Sequence, residues 1–198
     1  THWFIKEANS PSYVSWHQDN NYWGLDTKKL VSVWIALSPA TLASGCMRML
    51  PGSHLEPVMP HVDTRAEHNM LTRGQTIMDI DESRAVDIEL KAGEAALFDY
   101  SIAHASPPNQ TDDRRIAIVL RYIPPETKQL LADWDSAALV RGEDRYDNFE
   151  HEPVPTQDMD PVAVAFHRKA EEMQRQVYFK DTEWQDYRVS AEGVESPY

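Results

Sequence analysis

The feature that most constrains the fold is a succession of short apolar runs, rich in β-branched and aromatic residues and separated by turns. The clearest run is residues 30–37 (LVSVWIAL), whose composition is typical of a β-strand. Similar runs follow at residues 88–90, 95–100 and 115–123. Turn-forming residues interrupt them at Pro51-Gly52, Ala92-Gly93 and Pro107-Pro108-Asn109. Many short strands joined by turns predict a β-sandwich or barrel.

A change of composition after Pro124-Pro125 divides the chain. Its 198 residues favour one domain, with a β core over residues 1–125 and a C-terminal loop and helical extension over residues 126–198 packed on that core. Residues 126–155 are charged and aromatic, which predicts loops and a short helix. The chain opens directly into a predicted strand without a Met, so we expect that an N-terminal part of the core is missing.

A second, clearer helix is predicted near the end of the chain. Asp160 suits a helix N-cap and Pro161 suits the first helical position. Apolar residues then recur at steps of four, three and four, which places them in one stripe. They are Phe166, Ala170, Met173 and Val177. The stripe predicts a helix docked on the β core, or a contact between copies in a homo-oligomer.

The charge limits the possible partners, and the cysteine content limits the possible compartment. The formal net charge of −13 disfavours nucleic acids and anionic membranes as partners, because their phosphates would be repelled. Cys46 is the only cysteine, so an intrachain disulfide is impossible and a reducing compartment is favoured. We therefore expect a cytoplasmic protein that acts on a small-molecule substrate.

The most informative motif is Trp16-His17-Gln18-Asp19. On a strand, residues two apart project from the same face, so His17 and Asp19 would direct an imidazole and a carboxylate at a common point. With a second histidine they would form a two-histidine, one-carboxylate set that leaves coordination positions open. A His-x-Asp tripeptide alone is common by chance.

Two later residues strengthen a metal-site interpretation. His104 follows the strand predicted at residues 95–100, and Arg115 begins the strand predicted at residues 115–123. An arginine at the start of an apolar strand is costly unless its charge is paired. Its planar guanidinium matches a carboxylate in bidentate fashion, which suits a dicarboxylate that also reaches the metal.

At this point the chain resembles the phytanoyl-CoA dioxygenase family. The matching segments are Trp16-His17-Gln18-Asp19, Pro51-Gly52-Ser53-His54, His104-Ala105-Ser106 and Arg115-Ile116-Ala117-Ile118. The resemblance covers residues 3–125, and its segments are short but specific in their order and spacing. It implies a fold that is mainly β with flanking helices, a double-stranded β-helix (cupin-like jelly roll).

The resemblance also implies the chemistry. It implies an Fe(II)- and 2-oxoglutarate-dependent dioxygenase that uses O₂, hydroxylates an unactivated C–H bond, and releases succinate and CO₂. Related halogenases carry a small residue where this chain has Asp19, so hydroxylation is favoured over halogenation. The implied iron ligands are His17, Asp19 and His104. The residues implied to bind or border 2-oxoglutarate are Arg115, Ser106 and Trp34.

Substrate residues are harder to assign. Asn21 and Trp23 directly follow the ligand motif, where such oxygenases often line the substrate side, so we list them as substrate candidates. Arg121 lies six residues after Arg115 and shares its strand face. It would either pair with a carboxylate of the fold or meet an anionic substrate.

Three further residues receive structural expectations. We expect Gln18 to face away from the metal if its strand is regular. His54 is expected to have a structural or pocket-edge role in its turn. For Lys6, exposure to solvent is the default, although the side chain could point into the pocket.

Two other functions remain open from the residues alone. Two histidines and an aspartate also suit a zinc-dependent hydrolase on a cupin-like barrel, but this leaves Arg115 without a purpose. A binding module that kept the fold and lost the chemistry is the other alternative.

Overall fold

The computed structural model of the chain describes residues 1–21 and 23–180, and over these residues the fold is mainly β. The strands and the α-helix, in chain order, are β1 (His2–Lys6), β2 (Val14–His17), β3 (Val31–Ala36), β4 (Met47–Met49), β5 (Val62–Asp63), β6 (Gln75–Thr76), β7 (Val86–Ile88), β8 (Ala95–Asp99), β9 (His104–Ser106), β10 (Arg115–Tyr122), β11 (Ser136–Ala137), β12 (Glu150–His151) and α1 (Pro161–Tyr178).

Two four-stranded antiparallel sheets form the β core. The first has the order β1-β10-β3-β8 and the second has the order β2-β9-β4-β7. Along the chain, the strands of these two sheets alternate between them, apart from β4 and β7, which pair with each other. The intervening β5 and β6 form a separate two-stranded sheet. This winding is the double-stranded β-helix, or jelly roll, so the predicted fold class is confirmed.

The hydrophobic core is built from β3, β4, β8 and β10. Inward-facing residues alternate with outward-facing ones along β3 and β10, as pleated strands require. The buried core residues are Trp34, Ala36, Ala40, Cys46, Met47, Met49, Phe98, Ala117 and Val119. Because they come from both sheets, the sheets pack face to face, and polar side chains on the same faces are removed from water.

Two strands of the second sheet, β2 and β9, are covered on both faces. Every residue of β2 and β9 is buried. Trp16 and Ala105 pack in a separate apolar cluster with Leu50, Ile77 and Ala103, while His17 and His104 alternate with them toward the other face. The strands that carry the two histidines are thus fixed from both sides.

The predicted helix near the C-terminus is confirmed. α1 begins at Pro161, and the Asp160 carboxylate accepts a hydrogen bond of 2.9 Å from the backbone N–H of Val162. The four stripe residues are each half-buried, and Phe166 contacts Trp134 at 5.8 Å between ring centroids.

The predicted short helix within residues 126–155 is wrong. All of these residues are described, and they form loops with the parallel pair β11–β12. Local side-chain acceptors satisfy the backbone instead: the Asp144 carboxylate accepts from the N–H groups of Tyr146 and Asp147, and Gln129 accepts from Leu131. Such bonds compete with helix formation.

The described residues fall into two compact units. The first comprises residues 1–21 and 30–122, and the second comprises residues 23–29 and 123–180. The extension predicted at residues 126–198 reaches beyond the described residues, so the division at residue 125 stays a prediction. In the part of the chain that the structure describes, no helix has the length and hydropathy that a membrane crossing requires.

Candidate active site

Strand pairing brings the two predicted histidine ligands together. β2 and β9 run antiparallel with His17 directly opposite His104, and the two ring centroids lie 4.1 Å apart. Both side chains are buried. Two histidines that are 87 positions apart in sequence are thus adjacent inside the jelly roll.

Asp19 reaches this point by a turn. β2 ends at His17, and a short 3₁₀ turn spans Asp19–Asn21, so the strand periodicity that predicted the pairing does not extend to Asp19. The turn brings Oδ1 of Asp19 to 3.4 Å from Nε2 of His17. Nitrogen or oxygen donors of His17, Asp19 and His104 all lie within 4.8 Å of one another.

Hydrogen bonds of Gln18 fix the backbone where β2 ends and the 3₁₀ turn begins. Its side-chain amide donates to the carbonyl of Ser101 at 2.6 Å, and its side-chain oxygen accepts from the N–H of Met59 at 2.8 Å. Its backbone N–H donates to Nε2 of His61 at 2.9 Å. As expected, Gln18 is directed away from the donor cluster, but it and His61 anchor the chain between the two donors.

Backbone carbonyls fix the tautomer of both histidines. Nδ1 of His17 lies 2.8 Å from the carbonyl oxygen of Ser15, and Nδ1 of His104 lies 2.9 Å from that of Ile102. Because a carbonyl only accepts, each Nδ1 must donate, and each Nε2 keeps a lone pair for a metal ion. This is the usual support for histidine ligands.

The cluster has the charge state that a divalent cation needs. Burial, together with His17, lowers the pKa of His104 to about 4, so its imidazole is neutral at neutral pH. Burial opposes ionisation of Asp19, but the adjacent His17 ring and the charges of His104 and Arg121 lower its pKa to about 2. One carboxylate and two imidazoles form a donor set suited to iron(II) or zinc.

Two buried basic side chains lie elsewhere in the same core. Lys6 on β1 is paired in register with Arg115 on β10, and their exposed fractions are 0% and 2%. Lys6 donates to the Ser106 carbonyl at 3.0 Å, to the Ser106 hydroxyl and to the Pro107 carbonyl. The guanidinium carbon of Arg115 lies 5.3 Å from the Trp34 ring centroid. We call Lys6, Ser106, Arg115 and Trp34 the anion cradle.

The charges of the anion cradle lack a counter-ion within the described residues. No carboxylate there forms an ion pair with Lys6 or Arg115, and Nε of Arg115 is buried without a hydrogen-bond partner. Burial, with Arg115 nearby, lowers the pKa of Lys6 to about 6, and burial lowers that of Arg115 to about 10. A buried guanidinium without an anion is costly, and a buried amine would gain a proton beside one, so the cradle fits an anionic ligand.

The default expectation that Lys6 is exposed is wrong, because its side chain is buried. In the turn Pro51-Gly52-Ser53-His54, the sequence analysis considered His54 and not Ser53. His54 is exposed, whereas the Ser53 hydroxyl accepts from the N–H of Ala103 at 2.8 Å, next to His104. Gly52 adopts a φ of 85°, a left-handed conformation that favours glycine. The motif thus supports β9 rather than presenting its own histidine.

The substrate candidates are placed in different parts of the molecule. Arg121 faces inward on β10, and its Nη1 donates to Nδ1 of His2 at 2.8 Å. Asn21 is exposed at the end of the 3₁₀ turn. Trp23 belongs to the second compact unit, so its role, like that of Asn21, stays a prediction.

Comparison with known proteins decides the family. The sequence profile described as phytanoyl-CoA dioxygenase matches residues 1–117. The chain belongs to this family. Phytanoyl-CoA dioxygenase of Arabidopsis thaliana is 31% identical over 121 residues, covering 61% of this chain and 42% of that protein. The peroxisomal enzyme of Homo sapiens is 30% identical over 108 residues, covering 54% and 32%. This member of the family thus spans less than half the length of these relatives.

Solved structures agree with the family assignment. The non-heme monooxygenase ThoJ, in its apo form, superimposes with a TM-score of 0.77 at 38% identity, covering 89% of this chain and 64% of that one. EvdO2 from Micromonospora carbonacea var. aurantiaca, complexed with 2-oxoglutarate, gives 0.51 at 33% identity, covering 60% and 48%. The family and this complex support Fe(II) and 2-oxoglutarate as the cofactors, and the donor cluster and the unpartnered Arg115 nitrogen fit both.

Proposed function

We propose that this phytanoyl-CoA dioxygenase family member is an Fe(II)- and 2-oxoglutarate-dependent dioxygenase that hydroxylates an unactivated C–H bond of a small molecule. The observation that supports this most is the coexistence of a buried His-Asp-His donor set and an anion cradle in one core. A zinc hydrolase would use the donors but would leave two buried basic side chains without a purpose.

His17, Asp19 and His104 are the residues that would hold the iron. Three protein donors leave open positions for a co-substrate and O₂. The bound iron supplies the coupling of O₂ reduction to the decarboxylation of 2-oxoglutarate, giving succinate and CO₂. The chain's own part is to hold the donors in one tautomer and one charge state, and to exclude water from the reacting carbon.

The anion cradle would bind the distal carboxylate of 2-oxoglutarate. His104 and Ser106 are two residues apart on β9, a separation of about 7 Å along a strand. A five-carbon diacid can span that distance, with its keto-acid end at the metal and its far carboxylate beside Ser106, Lys6 and Arg115. Trp34 would border it, since its ring lies against Arg115.

Asp19 supports hydroxylation over halogenation. Its carboxylate lies within the donor cluster, where it would take the coordination position that a halogenase needs for chloride. We therefore propose that the oxygen atom, rather than a halogen, is transferred to the substrate.

The proposal predicts turnover of the co-substrate. Protein loaded with Fe(II) under anaerobic conditions should develop a visible absorption band when 2-oxoglutarate is added. On exposure to O₂ with ascorbate it should form succinate, measured by NMR. Hydrolytic activity that persists with zinc and without a keto acid would favour the hydrolase, and failure to bind any divalent metal would favour a non-catalytic binding module.

The lowered pKa of Lys6 predicts that the affinity for 2-oxoglutarate depends on pH. With a pKa of about 6 the Lys6 amine is mostly neutral at pH 7 in the ligand-free protein, and a bound carboxylate would raise that pKa. Binding therefore takes up a proton, and affinity should fall by up to about tenfold per pH unit above pH 6. Calorimetric titration with 2-oxoglutarate in buffers of different ionisation enthalpy measures this uptake.

The Lys6→Met variant is the control for this dependence. It should bind 2-oxoglutarate more weakly, with an affinity that hardly changes between pH 6 and pH 8. In the ligand-free wild type, the unfolded chain binds the Lys6 proton up to its ordinary pKa of 10.5 and the folded chain only up to about 6. Stability should thus rise with pH across this window. Proton uptake that is equal in wild type and variant would contradict the assignment.

A further inference from the structure

His61 is a histidine outside the donor cluster that contacts the motif carrying two of the donors. Its Nε2 accepts a hydrogen bond of 2.9 Å from the backbone N–H of Gln18, the residue between His17 and Asp19. Its Nδ1 lies 2.7 Å from the carbonyl oxygen of Met59, which can only accept, so Nδ1 carries the proton and Nε2 carries a lone pair. The ring is half-buried, and burial lowers the pKa of His61, which favours this neutral form.

Within the part of the chain that the structure describes, His61 is the only acceptor for the backbone N–H of Gln18. β2 ends at His17, opposite His104, and the 3₁₀ turn begins at Asp19, so Gln18 lies between two regular elements. Its exposed fraction is 0%, and a buried N–H without a partner costs free energy. His61 therefore supplies the acceptor that allows the chain to leave the strand at this point.

This hydrogen bond acts on the donor motif more than on the loop that carries His61. The loop has a second attachment to Gln18, since the N–H of Met59 donates to Oε1 of Gln18 at 2.8 Å. If the His61 acceptor were lost, the loop would keep its bond through Met59, whereas the Gln18 N–H would have no acceptor. The consequence would therefore fall on the backbone between the two donors.

The backbone of Gln18 sets the direction of one donor relative to the other. His17 is fixed by its pairing with His104 on β9 and by the carbonyl of Ser15. A rotation at Gln18 would therefore move Asp19, whose Oδ1 lies 3.4 Å from Nε2 of His17. Metal sites tolerate changes of only about 0.2 Å in their donor distances, so even a small rotation would weaken binding.

We propose that His61 is a positioning residue for the metal site, which fixes the backbone at Gln18 so that His17 and Asp19 are directed at one metal ion. This inference rests on the proposed function, because it assumes that the donor cluster holds a metal. His61 contributes no donor of its own to the cluster. It acts through a backbone N–H, so the site requires an acceptor at the position of Nε2 rather than an imidazole as such.

Two polar substitutions test which ring nitrogen matters. His61→Gln can place its side-chain oxygen near the position of Nε2, whereas the shorter side chain of His61→Asn reaches only the position of Nδ1. We expect His61→Asn to weaken nickel(II) binding about ten- to a hundredfold, and His61→Gln to bind nickel(II) with nearly the wild-type affinity. Isothermal titration calorimetry with nickel(II) alone measures the affinities. His167→Asn, which changes an exposed histidine paired with Glu171 on α1, should leave the affinity unchanged.

A measurement on the metal-free protein tests the hydrogen bond itself. In ¹⁵N-labelled wild type, the amide nitrogen of Gln18 should show scalar coupling to Nε2 of His61, and the Gln18 amide hydrogen should exchange slowly with solvent. This exchange should be at least about tenfold faster in His61→Asn, because the local hydrogen bond no longer protects the amide. It should stay close to the wild-type rate in His61→Gln.

Weaker nickel(II) binding in His61→Asn together with recovery in His61→Gln supports the proposal. Equal affinities in the two variants overturn it, since two high affinities make His61 dispensable and two low affinities make it a structural residue. His61→Leu, which lacks an acceptor, carries the same expectation as His61→Asn and replaces it if the latter does not fold. If the wild type shows the coupling but does not bind nickel(II), the proposed function fails and this inference fails with it.

Discussion

Replacing His104 by alanine is expected to abolish 2-oxoglutarate-dependent succinate formation and to weaken Fe(II) binding by roughly a hundredfold or more. His104 supplies one of three donors, its Nδ1 is already committed to the Ile102 carbonyl, and no other histidine of the described residues joins the cluster. Loss of one imidazole leaves a two-donor site that holds a divalent ion weakly. Metal content after dialysis and succinate formation measure the two effects.

His54→Ala is the matched control for this variant. His54 is exposed in its turn, so its loss should leave both metal binding and succinate formation at wild-type levels. Far-ultraviolet circular dichroism and the thermal midpoint verify that the His104 variant is folded, since removing its ring also removes a contact with Phe98. A folded His104 variant that keeps its iron and its turnover would show that the donor assignment is incorrect.

The local parts of the fold were predictable from sequence. Asp160 and Pro161 signalled the start of α1 because capping acts within one helical turn. β3, β8 and β10 were also found, since each strand is a continuous run of residues that favour extended backbone. The strand predicted at residues 88–90 lies earlier in the chain: β7 spans Val86–Ile88, and Leu90 forms only an isolated bridge with Ala40.

Which face of a strand turns inward was not predictable from alternation alone. Along β3, Trp34 alternates with Val33 and Ile35, and all three are apolar. The structure turns Trp34 inward and leaves Val33 and Ile35 half-buried. An inward-facing charge, such as Arg115 on the paired strand, is the signal that marks the functional face.

The candidate site shows the same division between local and long-range information. The resemblance brought His17, Asp19 and His104 into one prediction, whereas strand geometry alone placed Asp19 for an incorrect reason. Lys6 was expected to be exposed because a single lysine near a strand end usually is. Only its register with Arg115, across more than a hundred residues, removes it from solvent.

Arg115→Leu is expected to weaken binding of 2-oxoglutarate while leaving the stability of the ligand-free protein unchanged or higher. Removing one partner of a buried charge pair costs about 2–5 kcal/mol, so the KM for 2-oxoglutarate should rise roughly thirtyfold to several thousandfold. The ligand-free protein should become as stable as the wild type or more stable, because an uncompensated buried charge is replaced by an apolar side chain. Succinate formation against 2-oxoglutarate concentration and denaturant unfolding measure the two quantities.

Arg114→Leu is the adjacent control, since Arg114 is exposed and paired with Glu7. It should leave the KM unchanged and change stability very little, because water screens an exposed ion pair. The same substitution at two adjacent arginines should thus affect the KM for 2-oxoglutarate differently, because only Arg115 lies in the core without a carboxylate. If Arg115→Leu instead lowered ligand-free stability by several kcal/mol and left the KM unchanged, Arg115 would be a structural residue. The cradle would then no longer account for binding of a diacid.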